Sequence, residues 1–507
     1  MELALFGPVA APVAGAVLAA TLPRRVAAWT SVLAAAGLLA AGIALATGTV
    51  SRPPGTAPLH GVSVADGLLR ADALTAWLVT AVGAVATVAC WASVHHLDDQ
   101  ARAGELPKGS ARRYLVLVQL FLACMSVAVL ASNVGLFWVA VEATTVVTAF
   151  LVGHQRTRAS IEAAWKYVVL CSVGVGIAFL GTICVYAAAI ATAPDTAGAR
   201  AALDWTYLSE HGAQLDPSLM RLSAGLILLG FGTKAGLAPM HAWLPDAHSQ
   251  APAPVSALMS GVLLSVAFYG ILRYKSIFDA ALGPGYVRTL LLIAALGSLA
   301  LAAVLLIGQR DYKRLLAYSS IEHMGLIALG TAIGGRLALA AVLLHILGHG
   351  LAKAVAFCGA GQLLHRTGSP LIAEVRGALS SAPTAAALLG VAVVALLGLP
   401  PFALFASELA LARAGFAAGL GWAVALAFVL VLAAFAAIVR HAAGMLLGST
   451  VDPLTVDAEQ PPHRPRPGLR WVPLVLGLIA AAALGVWLGP LQSLLDSAAL
   501  IAAEGTR

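Results

Sequence analysis

The feature that most constrains this chain is a succession of apolar runs, many at or above the roughly 18–20 residues that span a hydrocarbon core. Inside a bilayer every backbone N–H and C=O must find a partner within the segment, so runs of this kind fold as helices. The composition agrees. AVILMFWYC residues make up 60% of the 507 positions, 10% are charged, and the mean hydropathy is +0.91, where a soluble domain carries roughly a quarter charged residues. The expected fold class is therefore all-α: a polytopic membrane protein of about fourteen transmembrane helices. These are read at about 3–20, 27–47, 72–95, 112–131, 133–152, 163–190, 219–238, 254–274, 285–307, 315–333, 336–363, 380–416, 421–447 and 470–489.

Two of these spans should be broken. The seventh is interrupted after Gly236 by Leu237-Ala238-Pro239 and then Pro245. The twelfth is too long for one crossing and holds Pro400 and Pro401 near its middle. Proline removes a helical hydrogen bond and clashes with the preceding turn. Interrupted helices at corresponding places in two halves of a membrane protein point to an inverted-repeat transporter. The longest polar stretches lie at about 50–70, 96–113, 191–218 and 449–469, the last a Pro-rich linker, and none is long enough for a folded soluble domain.

Charge in the connections sets topology. Alternate connections collect seventeen Lys and Arg residues on one side, among them Arg24, Arg112, Arg113, Arg156, Arg158, Lys313 and Arg314. The other side collects ten, among them Arg70, Arg273 and Lys275. The richer side should be cytoplasmic, which places both termini outside and the chain in the inner (plasma) membrane. The net charge of +7 therefore speaks of topology and not of a nucleic-acid partner. Met1 and Glu2 lead into the first apolar run with no basic region, against a cleavable signal peptide. Cys90, Cys124, Cys171, Cys184 and Cys358 are scattered without CxxC spacing, so no iron–sulfur or zinc motif is encoded and any redox chemistry belongs to a partner.

Three of the thirty Lys and Arg residues fall outside both loop sets: Lys166, Lys234 and Lys353, each within an apolar helix. Glu142 and Glu408 join them. An ion at the bilayer centre costs about 2.5–3.5 kcal/mol on the lenient insertion scale, so intramembrane charges mark ion or proton pathways by default. The rival reading is interhelical pairing, and for Lys166 snorkelling to the interface. Lys234 lies about a turn before one break and Glu408 just past the other, where freed carbonyls and water can hydrate a charge in one state and not another.

His345, His349 and Lys353 recur at i, i+4 and i+8 and share one helix face. Imidazole gives and takes protons near neutrality, so a proton wire is favoured there. A metal site would need ligands this face does not supply, and packing histidines are the bland alternative. The run from Met240 to Pro254 is too polar and Pro-rich to be helix. Its His241, Asp246 and His248 form either a polar entrance on the cytoplasmic side or a loop that tolerates water. Glu322 and His323 are adjacent, so at most one should point along a single path.

The run Phe231-Gly232-Thr233-Lys234-Ala235-Gly236-Leu237-Ala238-Pro239-Met240-His241-Ala242-Trp243-Leu244-Pro245-Asp246-Ala247-His248 strongly resembles the signature of antiporter-like proton-translocating membrane subunits. That family is shared by respiratory complex I, Mrp-type sodium/proton antiporters and membrane-bound hydrogenases. Asp311-Tyr312-Lys313-Arg314-Leu315-Leu316-Ala317-Tyr318-Ser319-Ser320-Ile321 is similar to a second family motif, and the resemblance covers about Trp138 to Glu408. The stretch Leu399-Pro400-Pro401-Phe402-Ala403-Leu404-Phe405-Ala406-Ser407-Glu408 resembles the component F branch of hydrogenase-4 (formate hydrogenlyase).

The resemblance implies two inverted five-helix repeats at 112–277 and 278–448, after three N-terminal helices in 1–111 and before a linker and last helix in 449–507. It implies a relay in which Glu142 pairs with Lys234, Lys166 lies along the first half-channel, and Lys353 and Glu408 continue the path with His345 and His349 between. Many relatives hold a lysine in the eighth helix near Ser265, so the middle of this relay differs. The implied function is proton translocation in a redox-driven complex of the hydrogenase-4 or complex I type. This chain would carry no redox centre and no cofactor, and would work with other membrane subunits and a peripheral arm holding iron–sulfur clusters and a nickel–iron centre. A cation/proton antiporter subunit of an Mrp-like assembly, carrying sodium, is the alternative. It wants more intramembrane carboxylates than Glu142 and Glu408.

Overall fold

The computed structural model describes residues 2–50, 62–64, 67–192, 201–448, 468–489 and 491–503. The expected linker at 449–469 lies outside the described residues except for its last two positions. Each expected helix is present. The order is α1 (Glu2–Thr21), α2 (Arg24–Val50), a hairpin of β1 (Val62–Val64) and β2 (Leu69–Ala71), α3 (Ala73–Arg102), α4 (Ser110–Leu130), α5 (Val134–Val152), α6 (Arg158–Thr192) and α7 (Trp205–Glu210). Then come α8 (Pro217–Ala235), α9 (Trp243–Gln250) and α10 (Ala253–Leu258), which runs through a π turn at Met259–Leu263 into α11 (Leu264–Leu282). They are followed by α12 (Pro284–Ile307), α13 (Tyr312–Ile333), α14 (Gly335–Thr367), α15 (Ala378–Ser381), α16 (Pro383–Leu396), α17 (Ala403–Ala417), α18 (Gly421–Leu447), α19 (Val472–Val486) and α20 (Leu491–Ala503).

Among the described residues ten helices are long and apolar enough to cross a bilayer, or eleven if α19 and α20 are one bent span. Both expected breaks are there. Helix α8 stops at Gly236, whose φ of +81° suits a residue without a Cβ. The twelfth expected span divides into α16 and α17 around Gly398-Leu399-Pro400-Pro401.

The stretch expected to be non-helical is a correction. Trp243–Gln250 is helical, and Pro245 is tolerated because it falls in the first turn, where backbone N–H groups have no helical acceptor. Polar residues elsewhere start helices. Asp72, Asn133, Asp216 and Asp311 each accept a first-turn N–H, from Thr75, Leu136, Ser218 and Leu219, and Lys313 and Arg314 respectively. Such caps contribute typically ~1 kcal/mol each.

The core is formed by α3, the α10–α11 helix and α14, which are buried almost throughout. The helices around them leave apolar side chains outward for lipid, such as Leu33, Val304, Val429 and Leu432. Close backbone approach needs small residues: a Cβ on Gly261 would lie 3.0 Å from the Gly350 carbonyl oxygen.

Three cations assigned to connections are in fact inside the bundle. Arg273 pairs with Asp72 at 2.7 Å, Lys275 pairs with Asp279, and Lys313 is buried. The Asp72 carboxylate also accepts the Thr75 N–H at 2.8 Å, so its charge is met from both the helix start and Arg273.

Candidate functional site

The first cluster forms where α5, α6 and α8 meet. Lys234 stands in the last turn of α8, where the helix dipole favours a cation. Its ammonium is fully buried and donates to Thr145 Oγ1 at 2.9 Å and to the Tyr167 hydroxyl at 2.5 Å. Thr145 Oγ1 in turn donates to Glu142 Oε2 at 3.2 Å, and Ser172 Oγ donates to Glu142 Oε1 at 2.9 Å. Glu142 and Lys234 are thus joined through one hydroxyl, not by a direct contact, and Glu142 is only partly buried. The break beyond Lys234 is pinned by Trp243, whose indole N–H donates to the Thr233 carbonyl at 2.8 Å, and by the Ala238 N–H on Ser298 Oγ at 2.9 Å.

Lys166 departs from expectation. Its side chain is 48% exposed and pairs with Glu162 at 2.7 Å and Asp246 at 3.1 Å, while Arg314 holds the other Asp246 oxygen at 2.7 Å. It sits near the start of α6, where a long side chain reaches polar surroundings. His241 also stands apart, in the break with Nδ1 3.1 Å from the Pro239 carbonyl. His248, two residues past Asp246 on α9, is by contrast fully buried and stacks on Phe357 with ring centroids 5.1 Å apart. That removes the water-tolerant loop reading for His248. Beside it, Lys313 donates to the Ser249 and Ala251 carbonyls at 2.7 and 2.9 Å, closing the C-terminal end of α9.

The second cluster lies between α13, α14 and α17. Lys353 is fully buried and donates to the Leu316 carbonyl at 2.6 Å and to Ser319 Oγ. One turn back, the His349 ring lies 4.8 Å from that of His323. His323 Nδ1 is 3.1 Å from His345 Nε2, and His345 Nδ1 is 2.9 Å from Ser407 Oγ. Glu408 follows Ser407. Its carboxylate occupies the space above Gly398, where a Cβ would lie 2.4 Å from Oε2.

Both Glu322 and His323 are buried, because α13 is enclosed on all sides. His323, Glu322, Tyr167, Ser319 and Ser407 were not singled out from sequence as relay residues. The pairing of His323 with His345 joins positions 22 apart on different helices, which no spacing rule reveals.

Neighbouring helices also supply what the α14 face lacked for a metal. His323, His345 and Glu408 bring one ligand atom each within 4.8 Å of one another. That spread is wide for one zinc ion, whose bonds to nitrogen are about 2.0–2.1 Å. Both ring nitrogens of His248 and of His349 and the hydroxyl of Ser265 are buried without a hydrogen-bond partner among the described residues. Orphan polar atoms of this kind are where buried water inserts.

Broken helices bordering buried lysines, imidazoles and carboxylates define an integral membrane protein of the ion-translocating class. Residues 131–435 match the family described as "NADH:quinone oxidoreductase/Mrp antiporter, TM". The chain belongs to that family. It is 41% identical over 325 residues, 64% of its length, to a hydrogenase-4 component F homolog from Methylacidiphilum infernorum (isolate V4), of which the match covers 68%. Of several longer curated relatives the matched stretch covers about half. The fold matches a chain of the archaeal membrane-bound sulfane sulfur reductase complex with a TM-score of 0.84 at 21% identity, covering 100% of this chain and 99% of that one. It also matches a chain of the Mrp complex from Dietzia sp. DQ12-45-1b with a TM-score of 0.82 at 22% identity, covering 99% and 97%.

Proposed function

We propose that this chain translocates protons as a membrane subunit of a redox-driven complex of the hydrogenase-4 or complex I type. The observation that carries the reading is the row of buried side chains Lys234, His248, Lys353, Glu322, His349, His323 and His345, which ends at the partly buried Glu408. Side chains of these types can each take up or release a proton, and Lys234, Lys353, Glu322 and Glu408 make no salt bridge among the described residues.

In this reading Glu142, through Thr145, tunes the proton affinity of Lys234. Lys166, Asp246 and Arg314 form a polar mouth, and His241 stands apart from it in the break. The path crosses the middle at His248, with water near Ser265 in place of a lysine. Lys353, Glu322, His349, His323 and His345 then lead to Glu408. The repeats are 112–277 and 278–448, one broken helix in each. The chain lies in the plasma membrane with its Arg-rich connections cytoplasmic and both termini outside. Its partners are further membrane subunits and a peripheral arm that holds the iron–sulfur clusters and a nickel–iron centre.

A second reading, cation/proton antiport in an Mrp-like assembly, draws on the breadth of the family and on the Mrp fold match. Proteoliposomes of the purified complex separate the two. Lys234→Ala and Glu408→Gln should each abolish redox-driven proton uptake while leaving subunit composition unchanged. Normal uptake by both variants would sink the relay. Uptake that requires an opposing sodium gradient, and not electron transfer, would select the antiporter.

A further inference from the structure

An open groove of about 490 Å³ lies on the outer face of α5 and α6, away from the relay. Its polar end is made by Arg113, in the first turn of α4, and Arg156, just past α5, with His154 in its floor. Neither arginine makes an ion pair or side-chain hydrogen bond among the described residues, and both are exposed. Arg156 is also the one non-glycine described residue with positive φ, +57°. His154 is buried, with Nε2 3.0 Å from Ser110 Oγ and Nδ1 unpartnered.

The rest of the groove is apolar. Phe150 and Trp165 are 63% and 65% exposed, and Val168 lies beyond them. Trp165 and Val168 lie about 10 and 15 Å along the axis of α6 from Arg158, a length an acyl chain can follow within one leaflet of a ~30 Å core.

We propose that this groove binds an anionic phospholipid, its phosphate on Arg113 and Arg156 and an acyl chain along Phe150, Trp165 and Val168. Two cations with no counter-ion among the described residues, at one end of an apolar channel, are complementary to that molecule at both ends. A zwitterionic lipid would present its own cation to the same arginines, and a free anion would leave the apolar channel unfilled. Basic pockets between transmembrane helices recognise anionic headgroups by the same logic.

The test uses the full chain in its purified complex, in phosphatidylcholine nanodiscs containing a minor fraction of lipid with dibrominated acyl chains. The fluorescence difference between wild type and Trp165→Phe isolates Trp165. Brominated phosphatidylglycerol should quench it about five- to thirtyfold more effectively per mole than brominated phosphatidylcholine, the range expected from one to two arginines. Arg113→Gln with Arg156→Gln should bring the two lipids to parity, and the paired Arg→Lys variant should keep the preference. Equal quenching in wild type, or a preference that survives the glutamines, overturns the proposal. So does loss of preference on adding inorganic phosphate, which would make the site one for a free anion. Quenching by neither lipid would place a neighbouring protein over the groove and overturns it as well.

Discussion

In the first half of the bundle the ionisable group precedes its break: Lys234 is two residues before Gly236, at the C-terminal end of α8. In the second half the order is reversed, and Glu408 lies beyond Gly398, in the second turn of α17. The first site takes its field from the end of a helix and from two hydroxyls. The second takes less from the helix dipole, which fades within a turn. It has instead the bare backbone of Gly398 on one side and a file of imidazoles on the other. Thus a broken helix carries a lysine just before its break in one half and a glutamate just after its break in the other.

The sharpest way to break this comparison is to keep the charge at Lys234 and remove its ability to give up a proton. Arginine stays protonated in proteins, so Lys234→Arg preserves a cation at the helix end. Proton uptake should fall by roughly 10²–10⁴, the range for removal of a positioned acid or base, with assembly unchanged on native gels. If Lys234→Arg pumps normally, the site needs only a fixed positive charge and the relay does not pass through residue 234.

The buried lysines were legible because charge inside an apolar run is costly wherever the run folds. Lys234, Lys353 and Glu408 stand out for that reason alone, and so do the breaks, since proline acts within a turn of itself. Depth near a helix end is a different matter. Lys166 reads as buried in sequence but reaches Glu162 and Asp246 at the edge. Arg273 reads as a connection but is buried against Asp72, 201 residues away. Composition places a residue on a helix, while only the packing of other helices decides whether its end faces water. The imidazole file was half visible for the same reason: His345 and His349 share a helix and a period, whereas His323 arrives from another helix.

A middle-sized effect should follow from altering the second break without touching an ionisable group. Gly398 has φ +62°, which a side chain adopts only with strain, and a Cβ there would collide with the Glu408 carboxylate. Gly398→Ala should displace that carboxylate from its seat. Proton uptake should drop about tenfold, equivalent to roughly 1.4 kcal/mol on the barrier, with stability of the complex lowered modestly. Gly236→Ala, at the matching position of the first half, meets the Leu244 side chain instead of the lysine. It should therefore cost stability more than transport. Equal losses of uptake in the two variants would show that the breaks matter as hinges and not as seats for charge.

The smallest effect belongs to Lys166. Its side chain is half exposed and has two carboxylate partners, so each contact is screened by solvent and contributes little. Removing it leaves Asp246 with Arg314 at 2.7 Å, so no buried carboxylate is abandoned. Lys166→Ala should change proton uptake by less than about twofold, as expected for a solvent-screened pair. The residual effect should weaken at high salt, because solvent-exposed ion pairs are salt-screened. A loss as deep as that of Lys234→Arg, persisting at high salt, would mean that protons enter through Lys166 itself. The first half would then hold a chain of two lysines, one at its mouth and one before its break, in place of a single lysine served by hydroxyls.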